Sequence, residues 1–122
     1  KLVDWAVKSL NEAISSDNKL SIFGIVKKGL IGTGDKFIGN NMQLSDLRND
    51  IPDLIAVEME GAAVAQVAFQ EKIPCLIVRV VSDNADENAA KNFDIFLKKY
   101  EVKSWLLIEA LLNKLHFYQI NN

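Results

Sequence analysis

The sequence predicts an α/β fold with a mostly parallel sheet, and three observations lead there. Leu54-Ile55-Ala56-Val57 is a short apolar run of strand length. Residues 60–72, EGAAVAQVAFQEK, are alanine-rich with apolar positions at helical spacing, and Pro74 marks their end. Cys75–Val81 is then a second apolar run, β-branched and continuous rather than alternating, as in a strand covered on both faces. Strand, helix and strand within about 30 residues make a βαβ unit, whose strands run parallel through a right-handed crossover.

The other elements follow in order. Leu2, Val3, Ala6, Val7, Leu10, Ala13 and Ile14 recur at helical spacing, so residues 1–16 are expected to form a helix with one apolar stripe. Ser15-Ser16-Asp17-Asn18 breaks that pattern. Residues 20–31 are expected to be extended, with a bend at Gly24 or Gly29. Gly32-Thr33-Gly34-Asp35 is a loop, residues 42–50 suit a short helix, and Pro52 closes it. Residues 93–117 carry Phe93, Phe96, Leu97, Trp105, Leu106, Ile108, Leu111, Leu112 and Leu115 for burial in a long terminal helix. The polar stretch from Lys98 to Lys103 is a candidate break in it. About three strands are few for a sheet buried on both faces, so further strands are expected from another chain or a missing segment. The opening Lys1, directly inside a helical pattern, suggests a fragment or a processed piece.

Composition narrows the function. With 122 residues the chain fits one domain, and 49% hydrophobic with 25% charged residues is ordinary for a globular protein. A formal net charge of −2 gives no electrostatic reason to expect nucleic acid or an anionic membrane as partner. The pairs Lys27–Lys28 and Lys98–Lys99 have acids nearby in the same segments and read as solvated faces. Cys75 is the only cysteine, which points to a reducing compartment, and its apolar neighbours make it a candidate core residue. His116, the only histidine, lies far along the chain, which disfavours Cys/His catalysis. One His and one Cys also leave metal binding poorly supported. There is no signal region and no run of about 18 apolar residues, so a cytoplasmic location is expected.

In open α/β sheets ligands bind beyond the carboxyl ends of the strands. That rule selects Glu58-Met59-Glu60, after the first apolar run, and Ser82-Asp83, after the second. Neighbouring parallel strands bring Glu60 and Asp83 to one site. The string Gly32-Thr33-Gly34-Asp35-Lys36-Phe37-Ile38-Gly39 is a third candidate on the same side; it lacks the Gly-Lys-Ser/Thr spacing of a Walker loop. Each has a structural alternative. A Glu at a helix start complements the helix dipole, Ser-Asp after a strand is a common turn or cap, and Phe37 and Phe93 suit a core.

Four stretches taken together are more specific. Thr33-Gly34-Asp35-Lys36-Phe37-Ile38, Val57-Glu58-Met59-Glu60-Gly61-Ala62-Ala63, Val81-Ser82-Asp83-Asn84-Ala85-Asp86 and Phe93-Asp94-Ile95-Phe96-Leu97 resemble, in order and spacing, the 5′-methylthioadenosine/S-adenosylhomocysteine nucleosidases of the nucleoside phosphorylase superfamily. The resemblance runs from about residue 1 to about residue 116. It implies part of a three-layer αβα fold with a mixed, mostly parallel sheet, and an N-glycosyl hydrolase that releases adenine without a cofactor. Residues 1–122 are thereby expected to be the carboxyl-terminal half of one nucleosidase domain.

The resemblance assigns roles by position. Asp83 matches the acid that protonates purine N7, and Ser82 the residue that orients it. Glu60 matches the carboxylate on the ribose hydroxyls, Met59 packs against the ribose, and Glu58 lies beside the same site. Phe37 matches the aromatic stacked on the purine, Ile38 reads the adenine edge through its backbone, and Phe93 closes over the base or the 5′-substituent. The family's water-activating Glu and a Gly-rich loop belong to an amino-terminal half not present here. Family members are homodimers, so a second copy and the missing half are the expected protein partners. The nearest competing readings are a purine nucleoside phosphorylase and a non-catalytic nucleoside-binding fragment.

Overall fold

A computed structural model describes residues 1–85, 88–101 and 103–120. The described chain forms two compact units, Lys1–Lys28 with Leu97–Asn122, and Gly29–Phe96.

The first unit is built on helix α1, Leu2–Ser16. Ala6, Ser9, Leu10 and Ala13 are its buried residues, a spacing of three and four that puts them on one stripe. Leu20 and Leu107 complete this small core. Burying a leucine such as Leu10 contributes about 2 kcal/mol through removal of apolar surface from water. Ser21–Phe23 is a turn of 3₁₀ helix, ended by Gly24 at φ 66°, a left-handed conformation that glycine adopts without steric cost. The segment expected to be extended from residue 20 thus opens as a 3₁₀ turn, and strand pairing starts only at Leu30. Asn11 fastens it: its amide donates to the Val26 carbonyl at 2.9 Å and its oxygen accepts from Val26 N–H at 2.9 Å. Tyr100 donates to the Ile22 carbonyl at 3.2 Å, with its ring 5.6 Å from that of Phe23.

The long terminal helix is broken where the polar stretch lies. Helix α4 (Ala89–Tyr100) ends there and α5 (Ser104–Ile120) begins after it. Helix α5 packs on α1, and Lys114 pairs with Glu12 at 2.6 Å. Leu107 is buried, while Trp105, Ile108 and Leu112, expected to be buried, are exposed. A helix apolar on every side buries only the face that meets a neighbour.

The second unit holds a two-stranded parallel sheet of β1 (Leu30–Thr33) and β2 (Leu54–Glu58). Helix α2 (Asn41–Asp50) joins them, as the 42–50 pattern predicts. Asn40 caps it by accepting from Gln43 N–H at 2.9 Å, and the Gln43 side chain accepts from Gly39 N–H at 3.4 Å. The register opposes Gly32 to Val57 and Thr33 to Glu58, so both carboxyl ends finish together. Helix α3 (Gly61–Gln70) leaves directly from the end of β2.

Two expectations are corrected here. Cys75–Val81 is not a strand: among the described residues no backbone hydrogen bond reaches it, because the sheet stops at two strands and offers it no ladder. The βαβ unit in the sheet is accordingly β1-α2-β2. Cys75, expected in the core, is exposed for the same reason, since among the described residues no neighbouring strand pairs with that run.

Candidate active site

Parallel pairing sets the geometry. Thr33 ends β1 and Glu58 ends β2 at the same edge, and their side chains meet, the Thr33 hydroxyl donating to Glu58 Oε1. Helix α3 starts three residues beyond Glu58, at Gly61, and the first N–H groups of a helix lack intrahelical acceptors. The Glu58 carboxylate supplies acceptors for them. It takes the Gly61 N–H on both oxygens, at 2.8 and 2.7 Å, and the Glu60 N–H at 3.0 Å. The Thr33 hydroxyl oxygen accepts the Ala62 N–H at 3.1 Å. Gly61 permits the close approach: a Cβ there would stand 2.6 Å from Glu58 Oε1.

Arg79 adds the cation. Its Nη2 contacts Glu58 Oε2 and also Glu60 Oε2, the latter at 2.9 Å. The two glutamates are thereby differentiated. Glu58 has a side chain only 8% exposed and is surrounded by donors, whereas the Glu60 side chain is 68% exposed with one ion-pair partner. The Thr33 hydroxyl above all, then the Glu60 and Gly61 N–H groups and Arg79, hold the Glu58 carboxyl down to about 2. Glu58 is therefore a fixed anion, and Glu60 offers the accessible acceptor.

Ser82 and Asp83 form a second cluster in the same unit. The Ser82 hydroxyl donates to Asp83 Oδ2 at 2.6 Å, and the Ala85 N–H donates to Asp83 Oδ1 at 2.8 Å. Ala85 adopts φ 55°, an uncommon value for a residue with a Cβ, to deliver that N–H. Each carboxylate oxygen of Asp83 is thus held separately. Among the described residues no hydrogen bond joins this pair to Glu60, so the structure brings Glu58, Glu60 and Arg79 together and Ser82 with Asp83. Asp86 of the same motif lies outside the described residues.

The remaining candidates are arranged around these groups in sequence. Met59, between the two glutamates, is 45% exposed. Phe37 is 54% exposed and Ile38 half-buried in the loop after β1. Phe93, 42% exposed, stacks on Phe96 with centroids 6.4 Å apart. A shallow depression lined by Lys8, Asn11, Glu12, Ser15 and Ser16 contains none of them. Among the described residues no group of three His, Cys, Asp or Glu side chains is placed to hold a metal ion. Nor, among those residues, is any helix long and apolar enough to cross a membrane.

Sequence reasoning missed Arg79 and the role of Thr33. A signal for Arg79 existed, since it is the one charge in the run Leu76-Ile77-Val78-Arg79-Val80-Val81, and such a charge calls for a partner. Thr33 carried none, because its role depends on the register of β1 against β2.

Known proteins resemble most of this chain in sequence and fold. The family model described as Phosphorylase superfamily matches residues 6–113. A 5′-methylthioadenosine/S-adenosylhomocysteine nucleosidase of Anoxybacillus flavithermus is 41% identical over 91 residues, covering 75% of this chain and 39% of that protein. The solved nucleosidase of the same kind from Colwellia psychrerythraea, in complex with adenine, superposes with a TM-score of 0.74 at 33% identity, over 89% of this chain and 44% of that one. The futalosine hydrolase of Helicobacter pylori gives a TM-score of 0.68 at 33% identity, over 88% and 44%. The chain spans less than half the length of each of these relatives. With a family match across nearly the whole sequence, and an α/β unit whose parallel strands end at a common carboxylate cluster, the chain belongs to the phosphorylase superfamily.

Proposed function

We propose that this chain is the carboxyl-terminal half of a 5′-methylthioadenosine/S-adenosylhomocysteine nucleosidase, which hydrolyses the N-glycosidic bond to release adenine and the thioribose. The observation that carries the reading is the pairing of β1 and β2, which sets an exposed carboxylate, Glu60, at the common carboxyl edge beside a locked one, Glu58. The nucleosidase names of the Anoxybacillus and Colwellia relatives support the same activity.

In this mechanism Asp83 gives a proton to purine N7. The C1′–N9 bond then breaks with its electron pair moving to the base, which leaves as neutral adenine, and water adds to C1′. A neutral leaving group departs far more readily than an anion. The Ser82 hydroxyl and Ala85 N–H orient the Asp83 carboxyl group. Glu60 accepts hydrogen bonds from the ribose hydroxyls and stabilises positive charge growing on the sugar. Met59 packs on the ribose, Phe37 stacks on the purine, Ile38 reads its edge, and Phe93 covers the base or the 5′-substituent. The Glu that activates water belongs to the amino-terminal half, and the working enzyme is a cytoplasmic homodimer.

The test is adenine release from 5′-methylthioadenosine in phosphate-free buffer, by the chain alone and by the chain supplied with an amino-terminal half. Release only in the combined sample is expected. Strict dependence on phosphate would instead assign a phosphorylase, and a clear preference for futalosine would move the substrate to that of the Helicobacter relative. A chain that binds adenine yet stays inactive in both samples would be a nucleoside-binding module.

A further inference from the structure

Thr33 has no place in the mechanism above, yet its hydroxyl is the point at which three elements meet. It donates to Glu58 at the end of β2 and accepts the Ala62 N–H at the start of α3, while its own backbone ends β1. From Glu58 the connection continues through Arg79, which spans Glu58 Oε2 and Glu60 Oε2. Glu58 also grips the N–H of Glu60 itself, at 3.0 Å. Both the backbone and the carboxylate of Glu60 are therefore referred to one side chain. That side chain is oriented by Thr33.

We propose that Thr33 is a positioning residue for Glu60: its hydroxyl fixes the rotamer of Glu58, which places Arg79 and the first turn of α3 so that Glu60 faces the ribose hydroxyls. The inference rests on the nucleosidase reading for the identity of what Glu60 binds, but the link from Thr33 to Glu58 does not. Without the hydroxyl, Glu58 Oε1 keeps only the Gly61 N–H, and the carboxylate loses the one contact that ties it to β1. Arg79 then meets a less firmly placed carboxylate against which to hold Glu60. The groups facing Glu58 are Thr33 from β1, Arg79 from the segment after α3, and Glu60 and Gly61 at the α3 start.

Two measurements test this. In the chain as it stands, the Glu58 carboxyl carbon is titrated by NMR in the parent, in Thr33→Val and in Thr33→Ser. The midpoint near 2 is expected to rise in the valine variant and to return in the serine variant, which restores the hydroxyl. Thr33→Ala is titrated in parallel, so that misfolding of one variant does not decide the result. An unchanged midpoint in both Thr33→Val and Thr33→Ala overturns the proposal. In the completed enzyme, Thr33→Val should lower kcat/KM for 5′-methylthioadenosine by about tenfold, with recovery in Thr33→Ser. In a Glu60→Gln background the valine change should add little, because the group it positions is already gone. Independent, multiplicative losses would show that Thr33 acts only on general stability and would likewise overturn it. An enzyme inactive in every form would sink the nucleosidase reading, while the titration would still decide the role of Thr33.

Discussion

Glu58 and Glu60 lie two positions apart and have opposite fates. The first is enclosed by the Thr33 hydroxyl, two backbone N–H groups and Arg79; the second projects into solvent with one ion pair. If Glu60 holds the ribose, Glu60→Gln in the completed enzyme should cut kcat/KM by roughly a hundredfold and leave the melting temperature nearly unchanged. Equal kinetics in mutant and parent would remove Glu60 from the mechanism. Asp83→Asn keeps an acceptor for Ser82 and Ala85 but has no acidic proton to give, so turnover should fall by at least about a hundredfold while circular dichroism stays native. Normal turnover in that variant would discard the proton-donor role. Both acids were legible in the sequence, because each follows an apolar run and sits in a motif that resembles a known family. Thr33 was not, and Arg79 was legible only as a charge in need of a partner, since their partners lie 25 and 21 residues away along the chain.

At the scale of elements, amphipathic periodicity was the most dependable guide. The stripe in residues 1–16 became α1 with Ala6, Leu10 and Ala13 buried, and the polar stretch after Tyr100 separated α4 from α5. Leu10→Ala should destabilise the unit containing α1 by about 3 kcal/mol, because a buried leucine leaves a cavity as well as losing its transfer energy. Urea unfolding followed by the fluorescence of Trp5 and Trp105, both in that unit, measures it, and a loss below about 1 kcal/mol would mean that the site is not tightly packed. The run at 75–81 shows where pattern reading stops. Its composition suits a buried strand, but a strand exists only where a neighbour supplies hydrogen-bond partners. Amide exchange at 75–81 should therefore be much faster than in β1 and β2 when the chain is alone. Protection equal to that of β2 would show that the run has found a ladder.

For the molecule as a whole, acid is the informative variable. Glu58 titrates near 2 in the folded chain against an ordinary value of 4.5. A depressed folded value means that its stabilisation is complete above about 4.5 and is lost as pH falls through about 2. Asp4, held down by Lys28, and Glu12, held down by Lys114, act in the same direction in the other unit. Thermal melting temperature should be flat above pH 5 and decline steadily from about pH 4.5 downward. A constant melting temperature between pH 5 and 2.5 would show that these pairs do not contribute. By itself the sequence determined the α/β class, four helical segments with a candidate break in the last, and the position of β2. Those follow from periodicity and local chemistry, which act over a few residues. Only the tertiary structure decided which apolar run becomes a strand and which glutamate is locked. Those outcomes depend on the register of β1 against β2, and register is a relation between segments that no single stretch of sequence contains.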